Sequence, residues 1–435
     1  MRPSRRLLLL SALCLAGGLL ILAAGLPPEG AAVAVAALTL AAMADLALTP
    51  GRGAVALEVG TPADTFCGEI ARLPARLQAT RGVLPPIAEA RAEFHADLGG
   101  QTTFGFAPAG TAAAVATIAI PARKRGVFDI SAIWLRWASR LGLWEVTPRL
   151  PIERQLRVVP NIRPIAAGTV DTAVRSELYG VKDTIARGEG SEFHQLVEFT
   201  AGMDYRAIDW KRSARHRNLV AKEMRAERNH QIILALDNGY LMRGQIDGVA
   251  RVDHAINAAL VVAWAAGLGG DLVGLYSFDA QPRLYTPPQP ARAAFPRLRR
   301  QMADMDYSSV EANHTLALAH LNGLLKRRSL IVMFSDFADT TTAELMMENI
   351  GVLNRAHVVV FVTLSDPTLA ARQRATAADP QAVAEAVVAA QMQRERNLVL
   401  DRLTRMGVFC LETGPGQLSP RLLSAYLDIK AKELI

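Results

Sequence analysis

The sequence predicts a multi-domain chain: two transmembrane helices, a small β-sandwich-like domain, and a C-terminal doubly wound α/β domain. Three observations carry that prediction. Two apolar runs, 7–26 and 31–48, stand near the N-terminus. From 54 to about 161, apolar and polar residues alternate with period two between Gly and Pro clusters. From Gln231 onward, short β-branched runs alternate with helix-length segments. A chain of 435 residues with 51% hydrophobic and 20% charged residues has the size and content for two or three packed domains.

The first apolar run, Leu7 to Leu26, carries no charge. At about 1.5 Å per helical residue it crosses a hydrocarbon layer of about 30 Å. "LPPEG" makes a tight turn, and Ala31 to Leu48 forms the second run, with Asp45 near its end. Arg2, Arg5 and Arg6 precede the pair, Arg52 follows it, and the turn holds only Glu29. The positive-inside rule therefore predicts a helical hairpin over 1–52 with both ends in the cytoplasm. A cleaved signal peptide is the competing reading of "MRPSRR" and the first run. The second run, and the lack of a small-x-small site after the first, weigh against it.

Residues 53–165 read as the β-rich domain. "VFDISAIW" sets Phe128, Ile130, Ala132 and Trp134 on one face, opposite Asp129 and Ser131. Segment 166–230 is polar and irregular, with one helix expected near Arg175–Tyr179. Residues 231–435 read as the α/β domain. Its apolar runs "QIILALD", "DLVGLYSFD", "SLIVMFSDF", "HVVVFVTLSD" and "GVFCLETG" are separated by helices near 252–268, 291–302, 315–326, 341–354 and 380–406. Asp237, Asp279, Asp336 and Asp366 fall at strand ends, where open α/β sheets bind ligands.

Several chemistries find no support. Cys14, Cys67 and Cys410 form no C-x-x-C pair, so neither a disulfide framework nor a zinc site is expected. No G-x-x-x-x-G-K or G-x-S-x-G motif exists, and the histidines show no ligand spacing. The net charge of +7 is spread along the chain. The basic run from Lys211 to Arg228 is interleaved with Glu223 and Glu227 at helical spacing. Nucleic acid is not an expected partner.

Two constellations remain. Asp237, Thr315 and Asp336 would suit Mg²⁺, a hard cation that takes oxygen ligands, if their strand ends share one crevice. Capping of the following turns and helices explains the same residues. In "SEFHQLVEFTAGMDYRAIDWKRSAR", Asp209 is placed to pair with Arg206, Arg212 or Arg215, with Trp210 as a packing anchor. Such a mixture suits an ion-pair hub at a domain junction.

The C-terminal part resembles a von Willebrand factor A (vWA) domain. That family's metal-dependent adhesion site uses D-x-S-x-S, a later Thr and a later Asp. Asp237, Thr315 and Asp336 match, but Gly239 and Leu241 stand where the serines would be. The resemblance thus implies a degenerate Mg²⁺ site. Residues 190–215 resemble the signature of the family called domain of unknown function 58. Gly190, Glu192, Phe193, Gly202, Asp204, Arg206, Ile208, Asp209, Trp210, Ser213, Ala214 and Arg215 fit in order, and Met203 departs from the pattern. The hairpin and the β-rich segment match that family's layout as well. The resemblance implies a non-catalytic, vWA-bearing adaptor in a bacterial inner membrane, working beside a MoxR-type AAA+ ATPase. Two other classes stay open: a membrane-tethered metal-dependent hydrolase using Glu192, Asp204, Asp209 and Lys211, and a structural scaffold for envelope assembly.

Overall fold

The structure is a computed structural model of the chain. It describes all residues except 63, 81, 173, 175–191, 201–202, 217, 226–228, 339 and 369–379. For 192–194, 216, 223–225, 341, 380 and 382 it describes the backbone alone. The helix expected near 175–179 lies outside the described residues, as do Gly190 and Gly202. The chain divides into two compact units, Met1–Val159 and Pro160–Ile435.

The first unit opens with helix α1, Arg5–Ala23, and helix α2, Glu29–Leu48. Ser4 caps α1 by accepting from the Leu7 N–H at 3.3 Å. With mean hydropathies of 2.2 and 2.1, both helical segments are long and apolar enough to cross a membrane. Their leucines are exposed, including Leu13, Leu20 and Leu40. Water does not tolerate so large an apolar surface, so the hairpin points to membrane association.

Beyond the hairpin, two sheets form. One has four strands, in the order Val55–Val59, Ile70–Ala79, Ala113–Pro121, Ala107–Pro108. The other has seven, built around Gly126–Ala138, which pairs with Arg149–Val159, Ile87–Phe94 and Trp144–Val146. The alternation read from sequence puts Leu73, Leu77, Ile118, Ile120, Ile130 and Leu156 in the core. Trp134 corrects that reading: it is 40% exposed, and Trp137 is buried instead. The ladders slip beside Ile130–Ala132, so two consecutive residues, Ala132 and Ile133, are buried and every later side chain changes face.

In the second unit, a six-stranded sheet runs Pro282–Pro290, Leu272–Phe278, Gln231–Asp237, Ser329–Phe334, Val358–Leu364, Phe409–Thr413. Numbered along the chain, that order is 3-2-1-4-5-6. Strand 3 is antiparallel and the others are parallel. Strand 3, "PRLYTPPQP", was not expected from sequence. Its prolines cannot donate to a ladder and are tolerated because the strand is an edge. Strand 1 divides the core in two. Ile232, Leu234 and Leu236 pack with helices Arg251–Gly269, Ala291–Ala303 and Pro415–Ala431. Ile233 and Ala235 pack with His314–Leu324, Thr340–Ala356 and Pro380–Arg405. Arg251–Gly269 also has the length and composition of a membrane span, but 67% of it is buried in this core.

Segment 160–174 packs here too: Ile165, Val170 and Val174 join the core, and Trp264 Nε1 donates to Asp171 at 2.6 Å. An antiparallel hairpin, Glu192–Glu198 with Val220–Arg225, carries the signature segment.

Candidate functional site

In a 3-2-1-4-5-6 sheet the connections reverse direction between strands 1 and 4, and the crevice opens at their carboxyl ends. Asp237 is the last residue of strand 1, and Ser335 and Asp336 follow strand 4. All three are buried. A buried carboxylate needs partners, and each Asp here has its own set.

Asp237 Oδ1 accepts from the Gly239 N–H at 2.7 Å. Its Oδ2 accepts from Ser335 Oγ at 2.5 Å and lies 3.2 Å from His314 Nε2. His314 Nε2 is also 2.8 Å from Ser335 Oγ. Three side chains from three separate segments thus close a ring. The arrangement differs from a nucleophile–base–acid relay. Ser335 Oγ bonds the carboxylate directly, and His314 meets both the hydroxyl and the carboxylate through the same Nε2, whereas a relay passes through both ring nitrogens.

Asp336 sits between two guanidinium groups. Arg251 Nη1 donates to Oδ2 at 2.7 Å, and Arg396 Nη1 donates to Oδ1 at 2.7 Å. The Phe337 N–H and Thr363 Oγ1 also donate to Oδ1, at 3.0 and 3.2 Å. Arg396 Nε reaches Glu412 at 2.5 Å, Nη2 bonds Thr363, and the guanidinium lies 5.1 Å from the Phe337 ring centroid. Burial alone would lower the Arg396 pKa; Asp336 and Glu412 outweigh it and raise it above its ordinary value.

Thr315, the third residue of the expected Mg²⁺ set, does not join them. It is exposed, and its hydroxyl accepts from Asn349 Nδ2 at 3.2 Å. The helix begins one residue earlier than expected, at His314, with Asn313 Oδ1 capping the Leu316 N–H at 3.0 Å. Gly239, which replaces the first serine of D-x-S-x-S, has no room for a side chain. A Cβ there would lie 2.9 Å from Ala312 Cβ and 3.0 Å from its backbone N. With Asp336 held by two cations, Thr315 turned to Asn349 and no hydroxyl possible at 239, the residues as placed do not fit a magnesium site. Among the described residues, no group of three or more His, Cys, Asp or Glu side chains is placed to hold a metal ion.

The segments beside His314 expose both polar and apolar side chains, with Glu311, Asn313 and Thr315 among the polar ones. Tyr240, Val310 and Leu316 are 43%, 40% and 46% exposed. The Tyr240 N–H donates to the Val310 carbonyl at 2.8 Å, which ties the segment after strand 1 to the loop leading into His314. Sequence reasoning missed His314, Arg251, Arg396 and Thr363, and it offered Ser335 only as a stand-in metal ligand that would need rearrangement. His314 left a trace there as the immediate neighbour of Thr315.

The signature residues form local caps rather than a buried hub. Asp204 Oδ1 accepts from the Arg206 N–H at 2.9 Å. Asp209 stands before the helix Trp210–His216 and accepts from the Arg212 N–H at 3.1 Å. Its ionic partner is Lys222, at 3.7 Å, and not Arg206, Arg212 or Arg215. The Arg212 N–H first, and Lys222 after it, hold the Asp209 carboxyl below the usual range. Ser213 is buried and exchanges hydrogen bonds with the Val220 backbone, at 2.9 and 3.3 Å. Trp210, expected as a packing anchor, is 67% exposed, because helix Trp210–His216 buries its Ser213 face. Arg206, Lys211 and Arg215 are exposed, and the side chains of Glu192 and Phe193 lie outside the described residues.

A search of curated proteins finds no match. Among solved structures, the chain is similar to the conserved hypothetical protein BatB from Bacteroides thetaiotaomicron. Identity is 13%, covering 47% of this chain and 100% of that one, with a TM-score of 0.34. Proximal thread matrix protein 1 from the mussel byssus follows at 9% identity, 47% and 48% coverage, and a TM-score of 0.29. An uncharacterized membrane spanning protein from Vibrio fischeri matches at 14% identity, 47% and 100% coverage, and a TM-score of 0.19. Over residues 195–394, a range that includes Asp204, Asp209, Asp237, His314, Ser335 and Asp336, the chain matches the family described as "Protein of unknown function DUF58".

Proposed function

We propose that this chain is a membrane-anchored interaction protein whose α/β unit, read as vWA-like, docks a partner at the crevice over strands 1 and 4. The observation that carries the reading is exposed apolar surface on the segments next to the crevice: Tyr240, three residues after Asp237 and bonded to the Val310 backbone, with Val310 and Leu316 close in sequence to the half-buried His314. An exposed aromatic such as Tyr240 beside aliphatic side chains supplies the kind of anchor that protein interfaces bury. The floor is already satisfied internally, which favours recognition over catalysis. The partner class follows the family resemblance: a MoxR-type AAA+ ATPase, with the chain acting as adaptor in a chaperone-like or assembly role. The hairpin holds the event at a bacterial inner membrane, with both termini cytoplasmic.

Affinity capture from detergent-solubilised native membranes tests this. Wild type should retain an AAA+ ATPase, with Mg²⁺ or with EDTA, and Tyr240→Ala with Leu316→Ala should lose it. Capture abolished by EDTA would return a metal to the site. No ATPase in any arm would favour the envelope scaffold.

A further inference from the structure

The β-rich part of the first unit does not hang from the hairpin on a loose tether. One turn, Ser139–Leu143, is gripped by both helices. Before α1, the Ser4 N–H donates to the Leu143 carbonyl at 2.9 Å, and Ser4 Oγ donates to the Gly142 carbonyl at 2.6 Å. From the last turn of α2, Asp45 Oδ2 accepts from Ser139 Oγ at 2.5 Å and from the Leu143 N–H at 3.2 Å, and Oδ1 accepts from the Leu141 N–H at 3.0 Å. Trp144 Nε1 donates to the Ala42 carbonyl at 2.8 Å. Residues 2–3 pair with 144–145, and Arg2 bonds Glu145. This explains a carboxylate at the end of the apolar run 31–48: Asp45 is buried and occupied in holding the turn.

The grip fixes a depth. An α1 of 19 residues is about 28 Å long, so a span from Leu7 uses nearly all of it and leaves Arg5 and Arg6 at the headgroups. A turn bonded to Ser4 and Asp45 must stand at that same level. What the turn presents there is Arg140 and a 57% exposed Leu141. Gly142, at φ 72°, bends the turn so that Arg6 Nη1 passes 3.0 Å from where a Cβ would stand. Arg5, Arg6 and Arg140 are exposed, and none pairs with a carboxylate among the described residues.

We infer that this turn is a membrane-surface contact: Leu141 enters the headgroup layer, and Arg5, Arg6 and Arg140 form a basic collar for anionic phospholipid phosphates. Three unpaired cations beside an exposed leucine complement such a surface. The inference rests on the membrane-spanning reading of the hairpin and is independent of the docking crevice.

The test uses the full chain in vesicles of phosphatidylcholine and phosphatidylglycerol. Nitroxide labels are placed singly at Leu141→Cys, Leu13→Cys and Val83→Cys, in a background with Cys14 and Cys410 replaced by Ala. Leu13 is exposed on α1 and Val83 on a loop of the first unit. Collision with oxygen against an aqueous nickel chelate reads depth. The inference expects Leu13 deep, Val83 aqueous and Leu141 several-fold shielded from nickel relative to Val83, with Arg140→Glu removing much of that shielding. Leu13 deep with Leu141 as aqueous as Val83 would overturn the collar and leave the spans standing. Leu13 aqueous would overturn both.

Discussion

Ser335 Oγ donates to Asp237 Oδ2 at 2.5 Å, joining the ends of strands 1 and 4 across the point where the sheet reverses its winding. The bond is charge-assisted and buried, so it is stronger than a neutral one. Ser335→Ala should cost about 1.5–3 kcal/mol, read as a shift of the denaturant midpoint at constant slope. His314→Ala should cost less, because the imidazole is partly exposed and Asp237 keeps Ser335 and Gly239.

Asp336→Ala should be more severe. It takes the shared carboxylate from Arg251 and Arg396, whose side chains are 15% and 14% exposed, and leaves them the carboxylates of Asp366 at 3.9 Å and Glu412 at 2.5 Å. Breaking a pair buried to this degree costs about 3 kcal/mol or more. Loss of partner capture by this variant would therefore report unfolding, and thermal unfolding must be measured beside any binding assay.

Gly239→Ser writes the first serine of the metal pattern back into the chain. The space does not exist, since Ala312 already touches that position. The substitution should cost about 1–3 kcal/mol through overpacking. It should leave the melting temperature insensitive to millimolar Mg²⁺. A melting temperature raised by Mg²⁺ would mean that the loop before His314 can move aside.

Asp271, at the opposite end of the sheet, gives a pH dependence. It is fully buried, and Tyr426 and Lys430 each donate to Oδ2 at 2.5 Å. Burial works to raise its pKa; His230, Lys430 and Tyr426 outweigh it and hold the carboxyl below the usual range. The group binds protons less readily folded than unfolded, so its stabilisation is complete above the unfolded pKa of about 4. It fades as pH falls through the lowered folded value. Asp271→Asn should flatten that acid limb of a stability–pH profile and lower stability at neutral pH.

The sequence made some levels legible and hid others for physical reasons. Both hairpin helices and five of the six α/β strands follow from apolar period and β-branching, because four of those strands are buried on both faces and the fifth, Phe409–Thr413, keeps a short apolar run at the sheet edge. Pro282–Pro290 was hidden because an edge strand tolerates prolines that argue against a strand elsewhere. Trp134 was placed on the wrong face because a ladder slip leaves no mark in the alternation. The crevice was found from Asp237 and Asp336, since strand ends are readable. Its chemistry was not, because Arg251 and Arg396 come from helices 85 and 60 residues away from Asp336. His314 was passed over for its neighbour Thr315 because one residue of helix start decides which side chain turns inward.

The most direct test of the account is a photo-crosslinking amino acid at position 240 in the full chain in native membranes, with position 83 as control. The account predicts a crosslink from 240 to an AAA+ ATPase, lost on Leu316→Ala and absent from 83. No crosslink at 240, or equal products from both positions, would contradict docking at the crevice.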